Sequence, residues 1–201
     1  MFEDHGIQRL HLVDLDGAKA KHVVNAKTLD AIATRTNLQI DFGGGIKSDA
    51  DLKLVFNCGA SQATIGSVAV TNKDLFFSWL TTYGAEKLIL GADVKDNKIA
   101  VTGWLDVTEV QLNDFLKEYQ TKGVSYVLCT DISKDGMLQG TAMDLYKQLN
   151  KTFAGMKIIA SGGITNISEV EELNNEGVYG VIIGKAIYEG RIKLSELKKF
   201  L

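Results

Sequence analysis

The sequence predicts an α/β fold, in which parallel strands, each followed by a helix, form two similar halves of one barrel. Short runs rich in Val, Ile and Leu alternate with longer stretches of helical periodicity. Such runs are typical of strands buried on both faces, as in parallel sheets. Segments of the two halves also repeat at a nearly constant offset. Strict alternation together with duplication favours a barrel of βα units.

Seven strands and seven helices are expected in alternation, from apolar runs and from the amphipathic stretches between them. The predicted strands are Arg9–Leu15, Leu38–Phe42, Gln62–Gly66, Lys87–Ala92, Val124–Thr130, Lys157–Ala160 and Val178–Gly184. The predicted helices are Ala26–Thr36, Asp49–Asn57, Asn72–Thr82, Thr108–Lys122, Met143–Asn150, Ile167–Asn175 and Lys193–Leu201. A hairpin is expected within Lys95–Trp104, where two short β-like pieces flank a polar turn.

Helix boundaries have their own signals. Ser48 and Ser168 are expected N-caps, because a serine side chain accepts hydrogen bonds from the first N–H groups of a helix. Glycines that follow four predicted helices are expected to end them, since glycine readily adopts the left-handed conformation found there. These glycines are Gly59, Gly84, Gly123 and Gly177. No Pro/Ser-rich linker interrupts the chain, so one domain is expected over residues 1–201.

The internal repeat covers approximately residues 9–83 and 124–201. Gly162 lies 118 residues after Gly44, and the segments around them align without a gap. The aligned pairs are Gly44 with Gly162, Gly45 with Gly163, Gly59 with Gly177 and Gly66 with Gly184. The segment from His11 aligns with the one from Leu128 at an offset of 117. Two halves of about four βα units each predict a (βα)8 TIM barrel of duplicated half-barrels.

The repeat also predicts that one strand of this barrel is missing from the sequence. The equivalent of strand Lys87–Ala92 in the first half would precede residue 1. Seven strands are therefore expected, with Met1–His5 as the end of the helix of a first βα unit. The two strands beside this gap would have open edges, which favours self-association.

Composition argues against several classes of function. The 201 residues carry a net charge of −3, and 45% of them are hydrophobic, which is typical of a soluble globular protein. Nucleic acids and membrane surfaces are not expected partners, because both attract basic proteins. The two cysteines and the absence of an apolar leader predict a cytoplasmic protein. Three histidines without ligand spacing predict no metal site.

Glycine-rich turns predict two phosphate-binding sites. In βα barrels the active site forms at the carboxyl ends of the strands, and the last two loops often bind phosphate. Backbone N–H groups where a turn opens a helix attract an anion. One predicted site comprises Ser161, Gly162, Gly163, Gly184 and Lys185, and the repeat gives a second at Gly44, Gly45, Lys47, Gly66 and Ser67. Alternatively, the glycines only permit tight turns. Two sites indicate a substrate with a phosphate at each end.

Two carboxylates at predicted strand ends are candidates for acid–base catalysis. Asp93 directly follows a predicted strand, and Asp135 lies in the loop that follows Thr130. A carboxylate near phosphate-binding loops serves as a general acid or base when its pKa is raised. The alternative for both is a strand-end cap or an ion pair with a neighbouring lysine, Lys95 or Lys134.

Two further side chains are expected near the same site. Trp104 follows Gly103 in the predicted hairpin and is expected either to stack on a planar ligand or to anchor the hairpin. Asp14 ends the first predicted strand, and the repeat places it on Asp131. It is a candidate for substrate binding, and the alternative is a cap of the following helix.

Together these motifs resemble the phosphoribosylformimino-aminoimidazole carboxamide ribotide isomerases of histidine biosynthesis. The resemblance covers essentially the whole chain and rests on HLVDLDGAK, DFGGGIKS, GADVKD, VTGW, CTDISKDGML, ASGGI and GKAIYEG. It implies an Amadori rearrangement that converts an aminoaldose into an aminoketose. It further implies a substrate with two phosphates and a reaction without metal or cofactor.

The resemblance also implies roles for individual residues. Asp93 matches the proton donor of the family, and Asp135 the acid that opens the ribose ring. Thr130 and Trp104 match positions that orient or stack on the substrate. The matched phosphate-binding residues are Gly162, Gly163, Gly184 and Lys185 in one site and Gly45 and Ser67 in the other. The general base of the family lies on a first strand outside these 201 residues, so reduced turnover of this chain is expected.

Two alternatives to the isomerase stay open. The cyclase subunit of imidazole glycerol phosphate synthase has the same duplicated barrel and a ligand with two phosphates, although the TGW hairpin and TDISKDG fit the isomerase better. A barrel that binds a bis-phosphate without catalysing a reaction is the second alternative. Some relatives also isomerise the anthranilate ribotide of the tryptophan pathway, and the sequence does not indicate whether this chain does.

Overall fold

The computed structural model describes residues 2–101 and 103–201. Met1, in the predicted helix end, and Thr102, in the predicted hairpin, lie outside the described residues. The described chain forms two compact units. One unit ends at Leu90 and includes Leu201, and the other runs from Gly91 to Phe200.

The described residues form strands and helices in the following order. The strands are β1 (Arg9–Val13), β2 (Gln39–Gly43), β3 (Gln62–Ile65), β4 (Leu88–Lys95), β5 (Lys98–Val101), β6 (Asp106–Gln111), β7 (Tyr126–Asp131), β8 (Lys157–Ser161) and β9 (Gly180–Val181). The α-helices are α1 (Leu15–Ala20), α2 (Ala26–Arg35), α3 (Asp49–Asn57), α4 (Ser67–Thr71), α5 (Lys73–Tyr83), α6 (Leu112–Thr121), α7 (Met143–Thr152), α8 (Ile167–Asn175) and α9 (Lys185–Tyr188). Two 3-10 helices are Glu3–His5 and Leu194–Phe200.

In the first unit, β1, β2, β3 and the start of β4 pair in parallel in chain order. Burial alternates along β2, where Ile40 and Phe42 are buried and Asp41 between them is partly accessible. Leu29 of α2 and Leu52 of α3 are also fully buried. Since successive side chains of a strand point to opposite faces, one face of this sheet carries the apolar core and the other carries Asp41.

In the second unit, β7, β8 and β9 pair in parallel in chain order. The end of β4 lies beside β7, where the N–H of Ile132 donates to the carbonyl of Val94 at 3.0 Å. β5 and β6 form an antiparallel extension of β4. Helices α6, α7 and α8 bury their apolar faces, with Phe115, Tyr146 and Leu173 almost inaccessible. The carboxyl ends of β7 and β8 come together, with Thr130 opposite Ser161.

The predicted fold class is confirmed. The strand order is β1-β2-β3-β4-β7-β8-β9, and the pairings recorded along it are parallel. Seven strands in chain order, each followed by one or more helices, give the order of a (βα)8 barrel from which one strand is missing. This count applies to the described residues.

Several predicted boundaries were wrong. The predicted helix Thr108–Lys122 is too long, because residues 106–111 form β6, where the Thr108 hydroxyl donates to the carbonyl of Ile99. Ser168 lies inside α8, and Asn166 caps that helix through the N–H of Glu169. The last predicted strand shortens to Gly180–Val181. Predicted strand Arg9–Leu15 ends earlier, because Asp14 caps the unpredicted helix α1.

Other helix signals are confirmed. Ser48 caps α3 and accepts a hydrogen bond from the N–H of Asp51. The four glycines expected to end helices all have positive φ angles, between 74° and 94°. The hairpin between β4 and β5 turns at Asp96 and Asn97, with φ angles of 51° and 61°. A type I′ turn places both central residues in this region, which explains the Asp-Asn sequence.

Candidate functional site

In the first unit, the Asp51 carboxylate holds the glycine-rich loop that follows β2. It accepts hydrogen bonds from the N–H of Lys47 at 3.2 Å and from the Ser48 hydroxyl at 2.7 Å. It also accepts from the N–H of Val23 at 3.1 Å, which connects this loop to the segment after α1. Burial raises the pKa of Asp51, but the hydrogen bonds outweigh it and leave the pKa below its ordinary value. The ionised carboxylate therefore fixes two loops at the carboxyl ends of β1 and β2.

In the second unit, the Glu169 carboxylate holds the loop that follows β8 through hydrogen bonds. It accepts hydrogen bonds from the N–H of Thr165 at 2.7 Å and from the Thr165 hydroxyl at 2.6 Å. It also accepts from the N–H of Thr141 at 3.1 Å. Its pKa is likewise lowered, because these hydrogen bonds outweigh the effect of burial.

These carboxylates occupy equivalent positions of the repeat. Glu169 lies 118 residues after Asp51, Thr141 lies 118 after Val23, and Thr165 lies 118 after Lys47. The duplication seen in the sequence is therefore present in the hydrogen bonds of the loops as well. Sequence reasoning missed both carboxylates, although an acidic residue at the same offset in both halves was a usable signal.

The paired glycines are required by the packing of these loops. A Cβ atom on Gly44 would collide with the carbonyl oxygen of Asp14, and one on Gly45 with that of His22. In the second unit, a Cβ atom on Gly163 would collide with the carbonyl oxygen of Gly140, which lies 118 residues after His22. Packing alone therefore requires glycine at these three positions.

Gly184 is different, because packing does not explain it. Its φ angle is −108°, which other residues adopt, and no atom lies within 4 Å of a Cβ built there. Gly66, its equivalent in the first half, has a similar backbone with φ −95° and ψ −86°. Open space in front of a backbone turn allows a ligand to approach it closely. Gly184 therefore favours the ligand-binding interpretation.

Each unit places a lysine beside its glycine turns. Burial lowers the pKa of Lys47, and the nearby charge of Lys21 lowers it further. No ion pair of Lys47 or Lys21 is found among residues 2–101 and 103–201, so their charge is available to an anion. In the second unit, Lys185 donates to the carbonyl of Gly136 at 3.0 Å and lies 3.6 Å from Glu189. Lys21 was not predicted from the sequence.

Asp93 and Trp104 are in direct contact in the second unit. Asp93 lies near the end of β4, and its Oδ2 accepts a hydrogen bond from the indole N–H of Trp104 at 2.9 Å. Trp104 is 42% exposed and adopts a φ angle of +72°. The hairpin thus brings an aromatic ring to the predicted catalytic carboxylate and leaves part of that ring accessible.

Other predicted residues of the second unit lie close to one another. Thr130 is buried at the end of β7, opposite Ser161. The backbone of Asp135 approaches the Gly162 turn, since its Cα would lie 3.5 Å from a Cβ on that glycine. The side chain of Asp135 is exposed. The structure therefore brings the Asp135 loop, the last glycine turns and Lys185 to one end of this sheet.

The contacts of Asp14 favour its structural alternative. This residue is 2% exposed, and its carboxylate accepts hydrogen bonds from the N–H groups of Gly17, Val24 and Asn25, each at 2.8 Å. The Asn25 amide donates a fourth, at 2.7 Å. Burial raises the pKa of Asp14, but these hydrogen bonds leave it lowered. Asp14 thus caps α1 and closes the loop that follows it.

The described residues contain neither a group of metal ligands nor a helix suited to a membrane. No cluster of three or more His, Cys, Asp or Glu side chains among residues 2–101 and 103–201 is arranged to bind a metal ion. None of the described helices has the length and apolar character needed to cross a membrane.

Comparison with known proteins places this geometry in a family. Residues 1–193 match the family described as histidine biosynthesis protein. A protein of Flavobacterium johnsoniae is 56% identical over 200 residues, which are 100% of this chain and 83% of that protein. A protein of Phocaeicola vulgatus is also 56% identical, with 100% of this chain and 84% of the relative covered. A protein of Cytophaga hutchinsonii is 53% identical, with 100% and 83% covered.

All three relatives carry the name 1-(5-phosphoribosyl)-5-((5-phosphoribosylamino)methylideneamino) imidazole-4-carboxamide isomerase. Their identity to this chain extends over both compact units, with the glycine loops, Asp93 and the Asp135 loop inside the matched range. From the family match over nearly the whole chain and from these relatives, it follows that the chain belongs to the histidine biosynthesis protein family.

Proposed function

We propose that this chain is an isomerase of histidine biosynthesis that converts an aminoaldose into an aminoketose. The observation that carries the proposal is the identity of 56% to relatives named as imidazole-4-carboxamide isomerases, over the full length of the chain. The rearrangement moves hydrogen and an electron pair within one molecule, so that substrate and product have the same atoms. The names of the relatives contain two phosphoribosyl groups, and each unit has a candidate anion site of its own.

The two anion sites are assigned to phosphate binding. In the first unit we assign Gly44, Gly45, Lys47, Gly66 and Ser67, and in the second Ser161, Gly162, Gly163, Gly184 and Lys185. The unpaired charge of Lys47 and Lys21 supports the first assignment, because a phosphate would relieve the repulsion between them. The open space at Gly184 and the neighbouring Lys185 support the second. Asp14 supports the first site indirectly, by holding the loop that packs on Gly44.

Asp93 is assigned as the proton donor of the reaction. The Trp104 indole N–H donates to one oxygen of this carboxylate and thereby orients the group. The partly exposed ring of Trp104 is suited to stack on a planar group such as an imidazole carboxamide. In this assignment Trp104 both orients the acid and binds the substrate.

Asp135 and Thr130 complete the assignment in the second unit. Asp135 protonates the ring oxygen of the ribose, which breaks the bond between that oxygen and C1 and opens the ring. The nitrogen lone pair forms the imine as this bond breaks, and loss of the proton at C2 gives the enolamine. Addition of a proton at C1 and loss of the proton of the C2 hydroxyl then give the ketone. The resemblance assigns removal of the C2 proton to a residue outside these 201. Thr130, buried beside Ser161, is assigned to orient the substrate through its hydroxyl group.

The test is isomerase turnover by the purified chain, compared with Asp93→Asn. We expect reduced turnover in the unmodified chain, because the general base implied by the resemblance lies outside these residues. In the variant we expect a further loss of about 10²–10⁴-fold, the range for removal of a general acid or base. Asp96→Asn in the exposed β4–β5 turn is the matched control, because it makes the same chemical change outside the site. Equal turnover in Asp93→Asn would contradict the assignment of Asp93.

A second candidate is a barrel that binds the bis-phosphate without converting it. It is supported by the same anion sites and requires no proton transfer. Substrate binding without turnover in the unmodified chain would establish this candidate and exclude the isomerase. The cyclase is not favoured, since the relatives above are named isomerases.

Self-association and a cytoplasmic location complete the proposal. β1 stands at one end of the strand order and β9 at the other, so each has one edge that no described strand covers. Such edges favour pairing with a second chain. Both cysteines are free thiols, which fits a reducing compartment.

A further inference from the structure

Two hydroxyl groups hold the glycine turn that follows β8 in the second unit. The phenol O–H of Tyr146, on α7, donates to the carbonyl of Ser161 at the end of β8. The hydroxyl of Thr141, two residues before α7, donates to the carbonyl of Gly162 at 2.7 Å. Tyr146 is fully buried, and burial raises the pKa of its phenol, so the group keeps its proton at neutral pH. Two successive carbonyls of the turn are therefore held by side chains of one neighbouring segment.

The held carbonyls determine where the N–H groups of the turn point. In a planar trans peptide, the carbonyl of one residue and the N–H of the next residue point in opposite directions. The carbonyl of Ser161 belongs to the same peptide as the N–H of Gly162, and the carbonyl of Gly162 to the same peptide as the N–H of Gly163. Both N–H groups therefore point away from the hydroxyls of Tyr146 and Thr141.

These two N–H groups have no partner in the part of the chain that the structure describes. Gly162 and Gly163 are buried, and no hydrogen bond from either backbone nitrogen is found among residues 2–101 and 103–201. Buried backbone N–H groups are almost always paired, because an unpaired donor away from water is unfavourable. Two such donors in one turn indicate a ligand with acceptor atoms, and a phosphate is a ligand of this kind.

The first half shows that packing does not require either hydroxyl. Helices α2 and α7 both have ten residues and begin 117 residues apart, and Leu29 and Tyr146 are their fourth residues. Both side chains are fully buried, but leucine has no hydroxyl. Val23, which lies 118 residues before Thr141, has none either. Burying a hydroxyl is unfavourable unless it is hydrogen-bonded, and polar departures from an apolar pattern are expected at functional sites.

We propose that Tyr146 and Thr141 are positioning residues of the second anion site, which hold the N–H groups of Gly162 and Gly163 toward a phosphate of the substrate. This inference rests on the proposed function, which assigns this turn to phosphate binding. Each hydroxyl acts through a carbonyl that it keeps turned away from the anion, and neither touches the phosphate. Donors that are held in place before binding need no reorganisation when the ligand arrives, which strengthens binding.

The test follows backbone amide resonances by NMR while inorganic phosphate is added to the full chain. In the unmodified chain, the resonances of Gly162 and Gly163 should shift and give a dissociation constant for this site. Tyr146→Phe keeps the ring and removes the hydroxyl, and Thr141→Val keeps the branched shape and removes the hydroxyl. In each variant we expect this dissociation constant to be weaker by about 3- to 10-fold, as for the loss of one hydrogen bond.

The first anion site provides the internal control, since neither variant changes a residue of that unit. The resonances of Gly44 and Gly45 should respond to phosphate equally in all proteins. Thr141→Ser keeps the hydroxyl and should restore the affinity that Thr141→Val loses. Tyr119→Phe, which removes another buried phenol of the second unit, on α6, should leave phosphate binding at both sites unchanged. The pair at Thr141 decides the matter if Tyr146→Phe does not fold.

The outcomes separate this inference from the proposed function. Unchanged affinity at Gly162 in both Tyr146→Phe and Thr141→Val would overturn the inference and leave the isomerase intact. Equal weakening at Gly44, or failure of Thr141→Ser to restore binding, would also overturn it, because a general loss of packing would then explain the effect. Absence of turnover in the unmodified chain, with affinity at Gly162 still dependent on the hydroxyls, would overturn the isomerase and keep the inference. No response of Gly162 to phosphate would overturn both the phosphate assignment and the inference.

Discussion

At the scale of single residues, Asp51 and Glu169 each hold loops by hydrogen bonds at equivalent positions of the repeat. Each accepts hydrogen bonds from backbone N–H groups of two separate loops. A side chain that satisfies the donors of two loops stabilises both, and its loss leaves those donors unpaired. The glycine-rich loops of both units are thus shaped by carboxylates that are not among the proposed phosphate-binding residues.

The stability of the chain should depend on pH through these two carboxylates. Their pKa values are lowered in the folded state, so they bind protons more readily when the chain is unfolded. Their contribution is present in full above the ordinary values of 3.8 and 4.5 and is lost as pH falls through the lower folded values. We expect the free energy of unfolding, measured with urea, to fall as the solution is acidified below about pH 4.

Amide variants separate this effect from other acid sensitivity. Asp51→Asn and Glu169→Gln should each lower the free energy of unfolding at pH 7 by about 2 kcal/mol and should flatten its decline in acid. Asp114→Asn, which changes an exposed carboxylate in the first turn of α6, is the control and should do neither. A variant as stable as the parent at neutral pH would show that the carboxylate does not hold the loops.

At the scale of elements, the turns at Gly163 and Gly184 differ in whether the fold itself requires glycine. Gly163 has a φ angle of +80° and is closely packed against the loop at Gly140. Gly184 has neither constraint. One turn therefore needs glycine in order to fold, and the other has open space in front of its backbone.

Two alanine variants test this separation. Gly163→Ala should lower the free energy of unfolding by more than about 2 kcal/mol, because the new methyl group meets backbone atoms in a left-handed conformation. Gly184→Ala should change it by less than about 0.5 kcal/mol, since the site is open. Yet Gly184→Ala should weaken phosphate binding, measured by calorimetry, because the methyl group occupies the space of the anion. Unaltered phosphate affinity in Gly184→Ala would argue for another position of the phosphate.

The elements also show how far sequence could predict this chain. The order of βα units and the repeat could be predicted, because buried parallel strands leave long apolar runs and duplicated loops leave the same glycines. Strand β6 was missed because residues 108–111 were joined to the helical stretch that follows them, and only pairing with β5 makes them a strand. The hydrogen bonds of Asp41 with His11 and Thr64 were missed, because these partners are 30 and 23 residues away from it in the chain. Asp14 was a candidate for substrate binding with helix capping as the alternative, and its hydrogen bonds favour the cap.

At the scale of the whole molecule, duplication explains what the two units share and divergence explains what they do not. The glycine turns and their carboxylates occur in both halves. Asp93, Trp104 and the Asp135 loop occur only in the second half. The hydrogen bonds of Asp41 with His11 and Thr64 occur only in the first. In the proposed function, the features that both halves share serve the two phosphates, and the side chains that differ serve the reaction.

The uncovered edge of β1 gives the last prediction, which concerns association of whole chains. The Asp14 N–H donates to Gly43, and the Gln8 carbonyl accepts from Gln39, both across the β1–β2 pairing. Because N–H groups along an extended strand alternate between its two edges, the N–H of Val13 faces away from β2.

We expect the chain to sediment as a dimer or larger species, and Val13→Pro to shift it toward monomer by removing an edge donor. Leu12→Pro is the matched comparison: it removes an N–H on the paired side and should lower stability instead. Monomeric behaviour of the unmodified chain at all concentrations would show that this edge does not mediate assembly.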